Sequence, residues 1–158
     1  MTIATVLDEH FMLRTAYPEI YDDLCDVKKL FKLRLHLFTT ALAIGVLYDL
    51  RSEKKTRHDI IRLSQLRDKE GMQEQKELID LLVRVFCIGS DKRELGLQLL
   101  SYADGGLKKL YQEYQEQGVL DISRMLDGAK KDWLQRIEEL IGAKVRHKTN
   151  NKIVHDSL

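Results

Sequence analysis

A single proline in 158 residues is the sequence feature that most restricts the fold of this chain. A chain of average composition would carry about eight prolines, and a proline inside a helix breaks or kinks it. Pro18 stands near the start, where the first turn of a helix accepts it. The rest of the chain therefore permits long helices. We expect an all-α fold, a single compact bundle of about five to seven helices.

Apolar residues recur at helical spacing along most of the chain, which predicts where these helices lie. The predicted helices cover about 18–25, 28–48, 58–67, 78–88, 90–102, 107–118 and 121–141. The second half of the helix over 28–48 is apolar nearly all round, which is typical of a helix at the centre of a domain. We expect one helical domain over 1–142 with a short N-terminal arm, and a polar, flexible C-terminal tail over 143–158.

Residues 32–37 leave two structures open, because Lys32, Arg34 and His36 alternate strictly with leucines. Such alternation is the pattern of a half-buried strand. Leu, Lys and Arg are strong helix formers and the segment has no β-branched residue, so a helix is favoured. The strand alternative has a functional meaning, since a short basic strand followed by two helices is the outline of a ribbon-helix-helix DNA reader.

The residues that usually carry chemistry show no motif. Cys25 and Cys87 are isolated, and no two of the five histidines stand at the i, i+4 spacing of a metal site. No serine has the Gly-x-Ser-x-Gly setting of a nucleophile. The Asp104-Gly105-Gly106 triplet lacks the frame and the lysine of a phosphate loop. It predicts a helix break, where glycine permits a left-handed residue or the close approach of another helix. We therefore expect no enzyme, no cofactor and no metal.

The compartment follows from the N-terminus and the thiols. The first ten residues have neither the basic nor the apolar region of a signal peptide. The most apolar stretch, 39–47, is far shorter than the roughly 20 residues that a spanning helix needs. Free thiols fit a reducing environment. We expect a cytoplasmic protein with no membrane partner.

The net charge of +1 conceals a basic segment. Residues 28–67 hold ten Lys and Arg against three acidic residues, whereas residues 1–27 hold one against six. A local basic field survives a neutral total, so segment 28–62 is a candidate for binding duplex DNA, with an affinity that falls steeply with salt. The alternative is an ordinary solvated helix end and loop. The candidate nucleic-acid contacts are Lys32, Arg34, Arg51, Lys54, Lys55 and Arg57.

Three segments carry a resemblance to a known family. They are Phe-Thr-Thr-Ala-Leu-Ala-Ile-Gly at 38–45, the basic turn at 51–57, and Tyr-Ala-Asp-Gly-Gly-Leu-Lys-Lys-Leu at 102–110. Their order and separations resemble those of the small helical proteins encoded beside bacterial DNA-phosphorothioation (dnd-type) phage-defence systems. The resemblance covers roughly 28–140, and Asp104 stands where that family usually has asparagine.

The resemblance implies a non-enzymatic accessory subunit of a bacterial defence system against foreign DNA, which acts by binding larger protein subunits of a defence complex. Apolar helix faces and segment 102–110 would form the docking surface. The candidate partner-binding residues are Tyr102, Asp104, Gly105, Gly106 and Leu107. A DNA-binding module that uses segment 28–62 is the alternative function. The oligomeric state stays open.

Overall fold

The computed structural model describes residues 7–66, 72–128 and 135–143. The chain is mostly helical, as predicted, but it also contains two strands, so the prediction of an all-α fold is corrected. Residues 122–128 and 135–143 are helical as well. In chain order the other elements are β1 (Met12–Thr15), α1 (Pro18–Tyr21), a π-helical turn (Asp22–Val27), α2 (Arg34–Leu47), β2 (His58–Arg62), a 3-10 turn (Leu63–Leu66), α3 (Met72–Phe86) and α4 (Lys92–Gln117).

Helices α2 and α4 form the centre of the core, and their backbones touch where they cross. Gly45 of α2 lies against the carbonyl of Tyr102, and Gly106 of α4 lies against the carbonyl of Ala41. A Cβ atom at either glycine would overlap the facing carbonyl. The prediction that the second half of 28–48 is a central helix is confirmed, since most of α2 is buried.

The helix break predicted at 103–107 is wrong, because α4 runs without interruption from Lys92 to Gln117. The glycines in this stretch provide close approach between helices and do not end the helix. The N-terminus of α4 is fixed as expected: Asp91 accepts a hydrogen bond from the Glu94 amide at 2.8 Å, and the Glu94 carboxylate accepts one from the Ser90 amide at 2.8 Å.

Strands β1 and β2 pair in an antiparallel sheet where the sequence predicts a helix over 58–67. Leu13 pairs with Ile61 and Thr15 with His58, and the register shifts between Leu13 and Arg14. The Ile60–Ile61 pair suits a strand, and the partner strand lies more than forty residues away in sequence. Leu13 and Thr15 point inward, and Thr15 contacts α4.

The other predicted elements have mixed outcomes. The helix favoured over 32–37 is confirmed from Arg34 onward, so the strand of a ribbon-helix-helix is not found there. The first helix begins at Pro18 as predicted, and α3 begins earlier than the predicted 78–88. Asp121 caps the last helix by accepting from the Arg124 amide at 3.0 Å. Residues 1–6 of the predicted arm and 144–158 of the predicted tail lie outside the described residues.

Within the described ranges, none of the helices combines the length and apolar character needed to cross a bilayer.

Candidate nucleic-acid interface

The six basic residues predicted to contact nucleic acid do not form one patch. Lys32 and Arg34 lie at the N-terminal end of α2, whereas Lys54, Lys55 and Arg57 follow its C-terminal end. Helix α2 has 14 residues, so its length of about 20 Å separates the two groups. This separation corrects the prediction of a continuous basic segment over 28–62.

The group at the N-terminal end of α2 is partly neutralised. One guanidinium nitrogen of Arg34 lies 2.8 Å from a carboxylate oxygen of Asp22 and 2.7 Å from one of Asp26. Lys32 is exposed. Arg34 therefore joins the start of α2 to the π-helical turn, and its own charge is compensated, whereas Lys32 keeps an exposed ammonium without an ion pair to a described residue.

The group at the other end sits on a fixed loop. We call residues 51–57 the basic loop. The Ser52 amide donates to the Ser101 carbonyl at 3.0 Å, and the Ser101 hydroxyl donates to the Ser52 carbonyl at 2.7 Å. At the end of the loop, the Arg57 amide donates to the Thr15 carbonyl at 3.3 Å. These bonds anchor the loop to α4 and to β1 through its backbone, which leaves its basic side chains facing solvent.

Gly105 explains why the loop can lie so close to α4. A Cβ atom at this position would overlap the backbone of Leu50 and crowd the amide of Arg51. The start of the basic loop therefore rests directly on the helix backbone. Gly105 and Gly106 serve different neighbours, the loop and α2 respectively.

The basic loop borders a cleft that faces the corner between β1 and α1. We call it the basic cleft; its volume is about 400 Å³. Its lining contains three Lys and Arg side chains and one carboxylate, that of Glu19. It is lined by Ala16, Pro18, Glu19, Lys54, Lys55, Arg57 and His58.

An aromatic ring extends this basic region toward α4. The Lys54 ammonium lies 4.8 Å from the ring centroid of Tyr17, and the Lys108 ammonium lies 5.6 Å from it. Two cations on one ring are each stabilised by its quadrupole, at about 0.5–1 kcal/mol for exposed sites. Tyr17 thus gathers one lysine from the loop and one from α4. We call Lys54, Lys55, Arg57, His58 and Lys108 together the basic surface.

Asp104 fixes the end of β1 and the turn after it, which carries Tyr17. Its carboxylate is 1% exposed and accepts from the Thr15 hydroxyl at 2.6 Å and from the Ala16 amide at 2.9 Å. The Thr15 hydroxyl in turn accepts from the Tyr17 amide at 3.0 Å. Burial raises the pKa of Asp104, while the two hydrogen bonds and the charge of Lys54 act in the opposite direction.

The raised pKa of Asp104 predicts a pH dependence of stability. The folded chain keeps this proton to higher pH than the unfolded chain, so wild-type stability gains as the pH falls through the folded pKa to the ordinary carboxyl value. Asp104→Asn removes this titration. Urea unfolding of both chains between pH 7 and 4 should show the wild type gaining on the variant as the pH falls. A constant difference, or one that moves the other way, contradicts the assignment.

The five residues predicted to bind a partner lie in the interior and do not form a surface. Their side chains or backbones are buried between α2, the basic loop and β1. The docking surface predicted over this segment therefore does not fit their burial. The five are Tyr102, Asp104, Gly105, Gly106 and Leu107. Tyr102 and Gly105 contact the start of the basic loop, and Asp104 binds Thr15 of β1, so these three help to position the loop.

Arg51 turns away from the basic cleft toward a second cleft of about 580 Å³. It donates to the Tyr102 hydroxyl at 2.7 Å, and that hydroxyl donates to Asp49 at 3.2 Å. Arg136 also donates to Asp49, at 3.0 Å. Burial raises the pKa of Tyr102, so the phenol keeps its proton and donates. Glu139 also lines this cleft, so its two arginines are balanced by two carboxylates. The second cleft therefore lies between the end of α2 and residues 135–143 and has no excess of positive charge.

Sequence reasoning included His58 in the basic segment but missed Lys108 as part of the basic surface and Tyr17 as the ring that its lysines contact. Lys108 follows Asp104 by four residues, which places both on one face of a continuous helix. The sequence therefore places Lys108 on the same side as Asp104, but only if residues 102–110 are taken as one continuous helix. His58 adjoins Arg57 in sequence, and Tyr17 joins the surface only through tertiary packing.

Among the residues that the structure describes, no group of three or more His, Cys, Asp or Glu side chains could hold a metal ion. Comparison of the chain with family models, curated proteins and solved structures finds no match. The functional argument therefore depends on the basic surface itself.

Proposed function

We propose that the chain binds duplex DNA through the basic surface, by contacts to the phosphate backbone. The observation that carries the proposal is the set of cations without carboxylate partners. Lys54, Lys55 and Arg57 form no ion pair with any described residue, whereas Arg14, Arg34 and Arg84 elsewhere each pair with aspartate. Lys28 and Lys32 likewise form no ion pair with a described residue, so the distinguishing feature of the three loop cations is that they lie together around one cleft. Cations that protein carboxylates leave uncompensated are available to phosphates.

The fixed backbone of the basic loop adds to this argument. Binding costs free energy when mobile side chains and loops become ordered. Here the loop is anchored at both ends by backbone hydrogen bonds to Ser101 and Thr15. Less ordering is left to occur on binding than for a free loop, which favours a nucleic-acid surface over an ordinary solvated loop.

Titration of a duplex oligonucleotide at two salt concentrations tests the proposal. Four phosphate contacts predict that the affinity falls about 100-fold between 50 and 200 mM salt. Fluorescence anisotropy with a labelled duplex measures it. Affinity that does not change with salt, or no binding at the lower concentration, would rule out the proposed function.

The accessory-subunit function stays a prediction that rests on the family resemblance. Tyr102, Asp104 and Leu107 are buried, so a partner protein would have to contact other residues, such as those of the apolar helix faces. A DNA-binding subunit is compatible with a defence system against foreign DNA, so the two functions do not exclude each other.

A further inference from the structure

We infer that the basic cleft is a discrete pocket for a phosphate ester or a diphosphate. The source of the phosphate, a backbone phosphodiester, rests on the proposed function. The class of ligand, an anion of the phosphate type, rests on the lining of the cleft alone. Such a pocket goes beyond general charge attraction, because a flat basic surface and a pocket differ in how they bind a small anion.

Basic residues make up much of the lining of the cleft. Lys54, Lys55 and Arg57 come from the basic loop and His58 from the start of β2, while Glu19 of α1 is the only carboxylate in the lining. Glu19 forms no ion pair with Lys54, Lys55 or Arg57. Like charges gathered around one space repel one another. Glu19 and the buried Asp104 offset only part of that repulsion, and an anion among the cations relieves more of it.

The walls that carry these charges are held from behind. Ala16 and Pro18 form the wall opposite the basic loop. The Ala16 amide is bound to buried Asp104, and the Arg57 amide is bound to the Thr15 carbonyl. Both walls are therefore attached to β1 and, through Asp104, to α4. A pocket with fixed walls binds its ligand at a smaller entropic cost than a set of free side chains.

The chemistry of the lining selects the ligand class. Arg57 offers a planar pair of donors that matches two oxygens of a phosphate, and the two lysines add point charges. A cleft of about 400 Å³ is larger than one phosphate group, so a diphosphate or a nucleic-acid phosphate with its sugar also enters. A phosphate or phosphate ester is the ligand that this lining fits.

Titration with inorganic pyrophosphate tests the pocket separately from DNA. The ¹H–¹⁵N NMR spectrum of the full chain is followed at constant ionic strength, with sodium chloride replacing pyrophosphate in the reference. We expect saturable shifts at the amides of 54–58. Lys55→Gln combined with Arg57→Gln should weaken pyrophosphate binding about tenfold or more. Lys28→Gln combined with Lys32→Gln, which lie at the other end of α2, is the matched control and should leave it unchanged.

The outcomes separate this inference from the proposed function. Pyrophosphate binding that is lost in the cleft variant and kept in the control supports the pocket, and does so even if duplex DNA fails to bind, in which case a free phosphate ester is the ligand. Shifts that do not saturate, or binding of equal strength in the cleft variant and the control, overturn the pocket. If the pocket is overturned but the protein still binds duplex DNA, the proposed function is retained, and surface charge alone explains the binding.

Discussion

Gly106→Ala is expected to lower the free energy of unfolding by about 3–5 kcal/mol, because the new Cβ atom would overlap the carbonyl oxygen of Ala41. The obstacle is the backbone of α2, which cannot move aside as a side chain can. The two helices would have to separate along their whole crossing, where Gly45 also lies against α4. Thermal unfolding followed by circular dichroism should show a midpoint lower by about 10 °C or more.

Gly96→Ala provides the matched control in the same helix. Alanine favours a helix over glycine by about 1 kcal/mol at both positions, so this gain cancels in the comparison. At Gly96 the added Cβ meets the ring of Phe11, which is a half-buried side chain. A ring can rotate away, and we expect a much smaller loss. Equal losses at the two positions would contradict a backbone contact at Gly106.

The sequence predicts the helices because their causes are local. The scarcity of proline and the periodic apolar residues are visible along the chain, and the caps at Asp91 and Asp121 have their expected partners. The glycines at 105 and 106 are different. Glycine serves both to end a helix and to let two backbones approach, and the choice depends on what lies opposite. Nothing near these positions in sequence identifies Ala41 or Leu50 as the neighbours.

The sheet shows the same limit. Residues 58–67 have apolar positions at helical spacing, and they also contain the adjacent Ile60 and Ile61 that suit a strand. Pairing with β1 decides between the two, because the strand gains its hydrogen bonds from residues 12–15. A pattern confined to one segment cannot report on a partner so far away.

The sequence predicts one part of the candidate site, the basic loop, and misses the residues that other elements contribute. The basic loop could be found from charge alone, and Lys54, Lys55 and Arg57 do lie together around one cleft. The basic residues fall into two separate groups because α2 lies between them. Arg34 pairs with Asp22 and Asp26 because the π-helical turn before α2 carries these two carboxylates. Lys108 and Tyr17 join through the packing of α4 and β1.

Charge reversal at the basic cleft is expected to have the second large effect. Lys54→Glu combined with Arg57→Glu changes the local charge by four units at exposed positions and should weaken duplex binding at least about 100-fold. Loss of the contact between Lys54 and Tyr17 costs only about 0.5–1 kcal/mol, so the variant should stay folded. Circular dichroism checks this before any binding measurement.

The control applies the same charge change at the other end of α2. Lys28 and Lys32 are exposed just before the start of α2. The length of α2, about 20 Å, separates its start from the basic loop and is roughly two Debye lengths in 0.1 M salt. Lys28→Glu combined with Lys32→Glu therefore changes the net charge equally while leaving the field at the basic cleft largely intact. It should alter the duplex affinity less than about threefold.

The affinity of these two double variants for one duplex, measured side by side with the wild type in 0.1 M salt, tests most directly whether the basic surface is the binding site. The predicted result is a loss of at least about 100-fold for Lys54→Glu with Arg57→Glu and near wild-type affinity for Lys28→Glu with Lys32→Glu. Equal losses in the two variants would show that only net charge matters. That result, or full affinity in the cleft variant, would contradict the basic surface as the site of binding.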